Sequence, residues 1–419
     1  MADVKKLWFN MRSPRFILIA VIIVILLTLY VFQAIKSITQ GMTPRWRMIF
    51  FVLYWSLSLL ALAVLLAGPS LLQESPRFNN YLFFIALGIF LAMLVASVFL
   101  LIDDIRRLIQ WGYTRISTPS GEGGEAISRS QFLSWVGVGL GTAVYGSLLY
   151  GFSNKYNYKI HRVSLVFDNL PAAFKGLKIV QLSDIHSGSL ANRVAVTRGV
   201  DMVLAEKPDL ILFTGDLVND RAFEMKDYQA VFSRLNAPMG VYSTLGNHDY
   251  GDYGWWETPE LKKANLDKLK VMEEQMGWRL LMNEHVALEK GGQQIALIGV
   301  ENWSAKARFP KYGRMDLAYP GAEKYPFKIL MSHDPSHWDA EVRPHYPDID
   351  LMLSGHTHGM QYGVELPGFK WSPVRFLYKQ WAGLYEEGRQ KLYVNRGYGF
   401  IGYPGRFGIL PEITVIELG

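Results

Sequence analysis

The sequence contains no cysteine among its 419 residues, so disulfide bonds and thiolate metal ligands are excluded, and the redox compartment cannot be inferred. Charged residues are scarce in residues 1–152, where four long apolar runs carry none. The remainder has the mixed composition of a soluble α/β domain. We therefore predict two domains, a membrane domain over 1–152 and a second domain over 153–419, with residues 153–158 as the linker between them.

The second half also lacks a dense stripe of lysine and arginine. The net charge is +6, and the excess of basic over acidic residues lies in residues 1–152, near the ends of the apolar runs. Basic residues in that position are typical of membrane proteins, so no nucleic-acid partner is expected.

Each uncharged run is roughly 20 residues long, enough to cross a hydrocarbon core of ~30 Å. Buried helices of a large soluble core would show a polar face, and the run from Val21 to Leu27 has none. We predict transmembrane helices over 16–35, 48–68, 81–102 and 132–152, with a polar loop over 108–130. The expected protein crosses an inner or plasma membrane several times, with the lipid bilayer as its partner.

The basic residues give a nearly balanced indication of orientation. The loop between the second and third helices has only Arg77, whereas the next one contains Arg106, Arg107, Arg115 and Arg129. The positive-inside rule then places the second domain outside the cytoplasm. The basic residues before the first helix argue the other way: Lys5, Lys6, Arg12 and Arg15. The segment 128–133, Ser-Arg-Ser-Gln-Phe-Leu, looks like a degraded twin-arginine export signal and favours an extracytoplasmic second domain.

Two histidines follow the apolar strand predicted to end at Leu353. Gly355 breaks this strand, and His356 and His358 come directly after it. Residues two apart in extended chain point the same way, so both imidazoles can reach one point. Imidazole is a common ligand of Zn, Fe and Mn ions.

Four further predicted strands end in polar residues of the same kind. They are 177–182 before Asp184 and His186, 210–213 before Asp216, 240–245 before Asn247 and His248, and 327–331 before His333. A single Asp or Asn in this position is usually a turn or cap residue. Because ligands of open α/β sheets bind at the carboxyl ends of strands, the repetition favours one shared site.

The segments between these strands give coarser predictions. Residues 192–206, 223–236 and 259–277 are predicted helices. Residues 301–320 are rich in aromatic and basic side chains and are the expected substrate loop. The aromatic segment 371–387 is expected to cover the site or face the membrane.

Five short motifs follow one another in the sequence: D-x-H at 184–186, G-D at 215–216, G-N-H-D at 246–249, S-H-D at 332–334 and G-H-x-H at 355–358. Taken together, they resemble the calcineurin-like metallophosphoesterase superfamily. The resemblance spans about 163–418 and is greatest to its bacterial membrane-anchored or exported branch. It implies an α/β fold, a four-layer αββα sandwich with two metal ions at the strand ends, here preceded by four transmembrane helices.

The resemblance also implies a role for each residue. One metal would be held by Asp184, His186, Asp216 and His358. The other would be held by Asp216, Asn247, His333 and His356, with Asp216 bridging. His248 would be the catalytic histidine that contacts the phosphate and protonates the leaving group. Where protein-phosphatase members have an Asp that supports this histidine, the sequence has Asn219, which argues against a protein phosphatase.

The implied chemistry is hydrolysis of a phosphate ester or pyrophosphate by a metal-bridging hydroxide. The nitrogen and oxygen ligands fit two divalent ions of Mn, Fe or Zn. The expected substrate is a phosphorylated small molecule or lipid, such as a lipid-linked phosphate or a nucleotide-sugar. The alternative is a non-catalytic membrane receptor or scaffold that retains the metal-binding fold. A transporter is disfavoured because the apolar runs lack charged residues.

Overall fold

The structure is a computed structural model and describes residues 14–74, 76–117 and 127–419. Packing divides the chain into two compact units, Met1–Tyr150 and Gly151–Gly419. Each unit is described by itself below.

The described part of the first unit consists mainly of four long helices, and the fourth continues into the start of the second unit. They are α1 Pro14–Ile38, α2 Pro44–Glu74, α3 Pro76–Ser117 and α4 Gln131–Asn154. Each contains a stretch long and apolar enough to cross a membrane. These stretches overlap the four predicted transmembrane segments.

The third helix is longer than predicted, so the loop prediction is wrong for residues 108–117. Beyond the predicted segment 81–102, Arg106 pairs with Asp103 at 2.9 Å and Arg107 pairs with Asp104 at 3.1 Å. Such pairs one turn apart support a helix with a polar surface. The predicted loop residues 118–126 lie outside the described residues, and 127–130 have no regular structure.

Small residues bring α3 and α4 close together. A Cβ added at Gly137 would lie 3.0 Å from the carbonyl oxygen of Ala96, and one added at Gly141 would collide with the backbone of Ala92. Small residues four apart on facing helices allow this close backbone packing in membranes.

The second unit contains two six-stranded sheets. The first has the order β1-β14-β2-β3-β4-β5, and its strands are β1 Lys159–Leu165, β14 Glu412–Leu418, β2 Lys178–Leu182, β3 Leu210–Phe213, β4 Val241–Ser243 and β5 Trp278–Leu280. The second has the order β12-β13-β9-β8-β7-β6, and its strands are β12 Gly383–Glu387, β13 Gln390–Val394, β9 Leu351–Ser354, β8 Lys328–Met331, β7 Gln293–Gly299 and β6 Glu284–Lys290. A separate antiparallel ribbon is formed by β10 Val364–Leu366 and β11 Phe369–Trp371.

The apolar core shows that the two sheets pack face to face between helices. Ile179 and Leu212 of the first sheet share a buried cluster with Leu297 and Ile329 of the second. The helices are α5 Arg193–Ala205, α6 Gln229–Phe232, α7 Pro259–Gln275, α8 Met315–Ala318 and α9 Arg343–His345. Separate clusters bury the outer face of each sheet under helices and turns. The four-layer αββα prediction is confirmed.

The helix predicted over 223–236 is mostly absent. A 3-10 turn at Ala222–Asp227 precedes the single turn α6. Its cause is Glu224, whose carboxylate accepts the backbone N–H groups of Asn219, Asp220 and Arg221 at 2.6–3.3 Å. These bonds give the three backbone N–H groups a local acceptor and hold the chain in a tight turn, so no regular α-helix starts here.

Candidate metal centre and active site

The predicted site residues meet at one edge of both sheets. The loops after β2, β3 and β4 carry Asp184, His186, Asp216, Asn247 and His248, and the loops after β8 and β9 carry His333, His356 and His358. β2, β3 and β4 are parallel neighbours, as are β8 and β9, so their carboxyl ends point the same way. Packing of the two sheets then brings both sets of loops together.

Left-handed backbone turns aim these side chains inward. Five of the seven predicted ligands have positive φ angles, at Asp184 54°, His186 47°, Asp216 62°, His356 71° and His358 50°. This conformation is uncommon outside glycine and clusters at functional sites, where surrounding bonds hold it. Here the N–H of Asp184 donates to Gly215 O at 2.9 Å, and that of His186 to Asp216 O at 3.1 Å.

Asp184, His186 and His358 form the first group of ligand atoms. The Nε2 atoms of His186 and His358 are 3.0 Å apart, and His358 Nε2 is 3.1 Å from Asp184 Oδ1. All three side chains are buried, and their ligand atoms lie within 4.8 Å of one another.

Asp216, His333 and His356 form the second group, with Asn247 beside them. His333 Nε2 lies 3.1 Å from Asp216 Oδ2 and 3.3 Å from His356 Nδ1, which is 2.7 Å from Asn247 Oδ1. Asp216 Oδ2 is also 3.5 Å from Nε2 of His186 in the first group. One carboxylate oxygen therefore lies between the two groups.

The electrostatics of this cluster suit divalent cations. Burial acts to raise the pKa of Asp184 and of Asp216, but neighbouring histidines outweigh it and lower both values, so the carboxyls are ionised. Burial lowers the pKa of His186 strongly and that of His356 to about 4, so both imidazoles offer lone pairs. Burial also acts to lower the pKa of His333, but Asp216 outweighs it and raises the value to about 10. Carboxylate, amide and imidazole donors without sulfur fit Mn, Fe or Zn.

Groups outside the cluster fix the orientation of two imidazoles. His333 Nδ1 is 2.7 Å from Thr214 O. His356 Nε2 is 2.9 Å from the hydroxyl of Tyr378, which donates to Asp334 at 3.1 Å. Such contacts set the tautomer and leave the opposite nitrogen for a metal. Tyr378 was not predicted, although it lies in the aromatic segment 371–387.

Asp249 joins two of the site loops and had no predicted role beyond its place in the motif. Its carboxylate accepts the N–H groups of Gly246, Asp216, Leu217 and Val218 at 2.7–3.2 Å. Burial and the nearby Asp216 raise its pKa to about 7. Asp249 therefore holds the loops after β3 and β4 in register.

Arg406 is a second unpredicted neighbour and lies entirely inside the protein. Its Nη2 is 3.2 Å from Nδ1 of His358 and donates to the carbonyl of Gly397 at 3.1 Å. Burial lowers its pKa to about 9. No local pattern marks this arginine, because it reaches His358 from a loop 48 residues away.

His248 is oriented by main-chain contacts. Its N–H donates to Asp216 Oδ1 at 2.8 Å, and its Nδ1 lies 2.7 Å from the carbonyl oxygen of Asn219. The ring nitrogen left for a substrate is Nε2. The departure at Asn219 thus removes a carboxylate but leaves a backbone acceptor for His248.

A cleft of about 210 Å³ opens over both groups. His248, Asp216 and Asn247 line its polar part. Arg308 and Phe309 contribute from the predicted substrate loop, and Met360, Leu377 and Tyr378 complete the wall.

The fold and this set of buried carboxylates and imidazoles define a metal-dependent phosphoric ester hydrolase. Residues 177–360 match the family described as calcineurin-like phosphoesterase. Residues 12–155 match the description "Probable Calcineurin-like phosphoesterase, transmembrane domain". The chain belongs to the calcineurin-like phosphoesterase family, in a form associated with the membrane. The predicted family and the predicted membrane association are both confirmed.

Relatives occur in animals and bacteria. A "Transmembrane protein with metallophosphoesterase domain" from Danio rerio is 29% identical over 360 residues, covering 83% of this chain and 75% of the relative. The "Uncharacterized metallophosphoesterase YkuE" of Bacillus subtilis is 32% identical over 260 residues, covering 59% and 81%. "Phosphodiesterase YaeI" of Escherichia coli is 28% identical over 304 residues, covering 70% and 99%.

Proposed function

We propose that this chain is a two-metal phosphoesterase that hydrolyses a phosphate ester or pyrophosphate. The main support is the position of Asp216 Oδ2, 3.1 Å from His333 and 3.5 Å from His186, between two groups of ligands. Residues 1–152 would hold the protein in the membrane, and residues 153–419 would perform the chemistry.

Each group of donors would hold one divalent cation, Mn, Fe or Zn. Asp184, His186 and His358 would bind one ion. Asn247, His333 and His356 would bind the other ion, and Asp216 would bind both. When bound, the pair of ions neutralises phosphoryl oxygens and lowers the pKa of a shared water. Asn247 contributes a neutral oxygen, so the site keeps positive charge for an anionic substrate.

His248 is proposed as the general acid for the leaving group. The contact between its Nδ1 and Asn219 O leaves Nε2 for the substrate, and its ring lies 5.0 Å from that of His186. A proton donor at this distance from the metal groups can reach the leaving oxygen of a bound phosphate. Arg308, on the wall of the same cleft, would bind a phosphate oxygen.

The side of the membrane and the substrate are also part of this proposal. The basic residues are nearly balanced between the two sides, and the segment 128–133 favours an extracytoplasmic site. A lipid-linked phosphate suits a membrane-held hydrolase, and a nucleotide-sugar would require a cytoplasmic site. Protease accessibility in intact cells distinguishes the two sides, because only an extracytoplasmic second unit is cleaved from outside.

The direct test uses the full-length protein in lipid nanodiscs with Mn, Fe or Zn. We expect hydrolysis within a panel of 4-nitrophenyl phosphate, bis(4-nitrophenyl) phosphate and pyrophosphate, with two bound metals by elemental analysis. Asp216→Asn should lose about 10³-fold or more in turnover and at least one metal. The matched control is Asp201→Asn, an exposed carboxylate on α5 paired with Arg234. Metal binding without turnover would instead support the receptor or scaffold.

A further inference from the structure

The β10–β11 ribbon has its apolar face turned outward. Directly paired residues share a face of a ribbon, so Leu366 and Phe369 lie on one side with Val364. Their exposed fractions are 60% for Leu366, 56% for Phe369 and 38% for Val364. A ribbon on a water-facing surface normally shows the opposite arrangement.

The polar face of the same ribbon is bonded to the protein. Glu365 forms an ion pair with the buried Arg396, and Lys370 donates to the carbonyl of Ala382 and, at 3.3 Å, to the Tyr385 hydroxyl. These bonds fix which face points outward. The exposure of Leu366 and Phe369 is therefore built into the fold.

The apolar surface continues to the mouth of the catalytic cleft. Phe376 and Leu377 follow the ribbon and are 78% and 49% exposed. Leu377 and Met360 line the cleft together with the metal-binding groups. A substrate that enters this cleft therefore passes an apolar rim.

Backbone hydrogen bonds within the second unit connect Gly363, just before the ribbon, with Gly151, the first residue of that unit. Gly151, in the last turns of α4, accepts the N–H of Arg406 at 2.9 Å, and the next residue, Phe407, donates to Gln361 O at 2.8 Å. Gly363 donates back to Phe407 O at 2.9 Å. The start of the ribbon is thus connected, within the second unit, to the residue at which the chain enters that unit.

Exposed basic side chains border this surface. Arg375 and Lys379 flank Phe376 and Leu377, and Lys306 and Arg308 lie on the facing loop, all of them exposed. Apolar side chains with a basic border match the acyl region and anionic headgroups of a bilayer.

We propose that the outward face of the β10–β11 ribbon, with Phe376 and Leu377, docks into the lipid bilayer. The cleft then opens at the lipid–water interface and takes a phosphate ester with a long alkyl chain. The substrate class rests on the proposed phosphoesterase function, whereas the docking does not.

Docking is tested without any activity measurement. The chain has no cysteine, so Phe369→Cys or Phe376→Cys in the full-length protein can be labelled at one position with a fluorophore. In nanodiscs containing nitroxide-acyl phosphatidylcholine and phosphatidylglycerol, we expect strong quenching at both positions. Val271→Cys, an exposed valine (48%) on α7, is the control and should stay unquenched. Equal quenching at all three, or none at 369 and 376, would overturn the docking; protection from aqueous iodide without lipid quenching would indicate a second protein copy instead.

The substrate class is tested with two esters that share one leaving group, methyl and hexadecyl 4-nitrophenyl phosphate. Leu366→Ser/Phe369→Ser should lower the hexadecyl-to-methyl ratio of kcat/KM about tenfold, equal to about 1.4 kcal/mol, with the methyl ester unaffected. Val166→Ser/Val271→Ser, two exposed apolar residues elsewhere, should leave the ratio unchanged.

An unchanged ratio in the ribbon variant would overturn the alkyl-chain substrate. Hydrolysis of 4-nitrophenyl phosphate but of neither alkyl ester would do the same. If the unsubstituted protein hydrolyses none of the three, and neither bis(4-nitrophenyl) phosphate nor pyrophosphate, the proposed function itself fails, and the quenching result alone decides the docking.

Discussion

The buried carboxyl of Glu273 on α7 allows a stability prediction apart from the metal ligands. One of its oxygens accepts the Ser243 hydroxyl, and the other, Oε1, has no hydrogen-bond partner among the described residues. Burial raises its pKa from 4.5 to about 8, and Asp249 adds to the increase. A carboxyl in this position is therefore protonated in the folded chain at neutral pH.

The sign of the pH dependence follows from this difference. Between the ordinary value of 4.5 and about 8, the folded chain keeps a proton that the unfolded chain has released, so stability falls as the pH rises. At 1.36 kcal/mol per pH unit, the loss across this window is about 5 kcal/mol. Glu273→Gln removes this loss, but its amide has one more hydrogen without an acceptor than the protonated carboxyl, which costs about 1 kcal/mol.

The variant should be slightly less stable than the unsubstituted protein near pH 5 and more stable by roughly 4 kcal/mol near pH 9. Thermal midpoints of the full-length protein, followed by tryptophan fluorescence, should then rise by roughly 8–16 °C at the higher pH. Glu274→Gln, at the exposed neighbouring position, is the matched control and should show no crossover. Parallel midpoint curves for Glu273→Gln and the unsubstituted protein would refute the buried protonated carboxyl.

Three further predictions concern the site. His248→Ala should slow hydrolysis of esters with poor leaving groups about 10²–10⁴-fold and 4-nitrophenyl esters far less; equal losses would argue against a general acid. Tyr378→Phe removes the hydroxyl between His356 and Asp334 and should weaken metal binding about 10–100-fold in a chelator competition, whereas unchanged affinity would show that the contact is incidental. Asp249→Asn takes charge from an acceptor of four backbone N–H groups and should lower the free energy of unfolding by about 2–4 kcal/mol; a smaller chemical-denaturation shift than about 1 kcal/mol would contradict this role.

Some features of the fold could be predicted because they depend on local sequence. An apolar run of 20 residues has few alternatives to a membrane helix, and short apolar strands followed by a small residue, Gly or Ser, and then polar residues repeat five times. The extension of α3 to Ser117 was missed because it depends on charge pairs one turn apart, which an apolar-run criterion ignores. The 3-10 turn at Ala222–Asp227 was missed because one side chain, Glu224, captures three backbone N–H groups.

The residues of the site also divide into those that local sequence could indicate and those that it could not. Asp184, His186, Asp216, Asn247 and the later histidines could be named from their place after strands, and the metals they would bind stay a prediction. Tyr378 and Arg406 could not be named, because their contacts with His356 and His358 arise where distant loops cross. Asn219 contacts His248 through its backbone carbonyl oxygen. Because every residue type has this oxygen, the residue type at 219 could not predict the contact.

By itself, the sequence determined the two-part organisation, the succession of strands along the chain and the donor residues that follow those strands. Each of these depends on periodicity and residue type over a few positions. Only the tertiary structure decided that Asp216 Oδ2 lies between two groups of donors, and that the β10–β11 ribbon turns its apolar face outward. Both depend on packing between segments far apart in the chain. Local residue preferences contain no information about such distances.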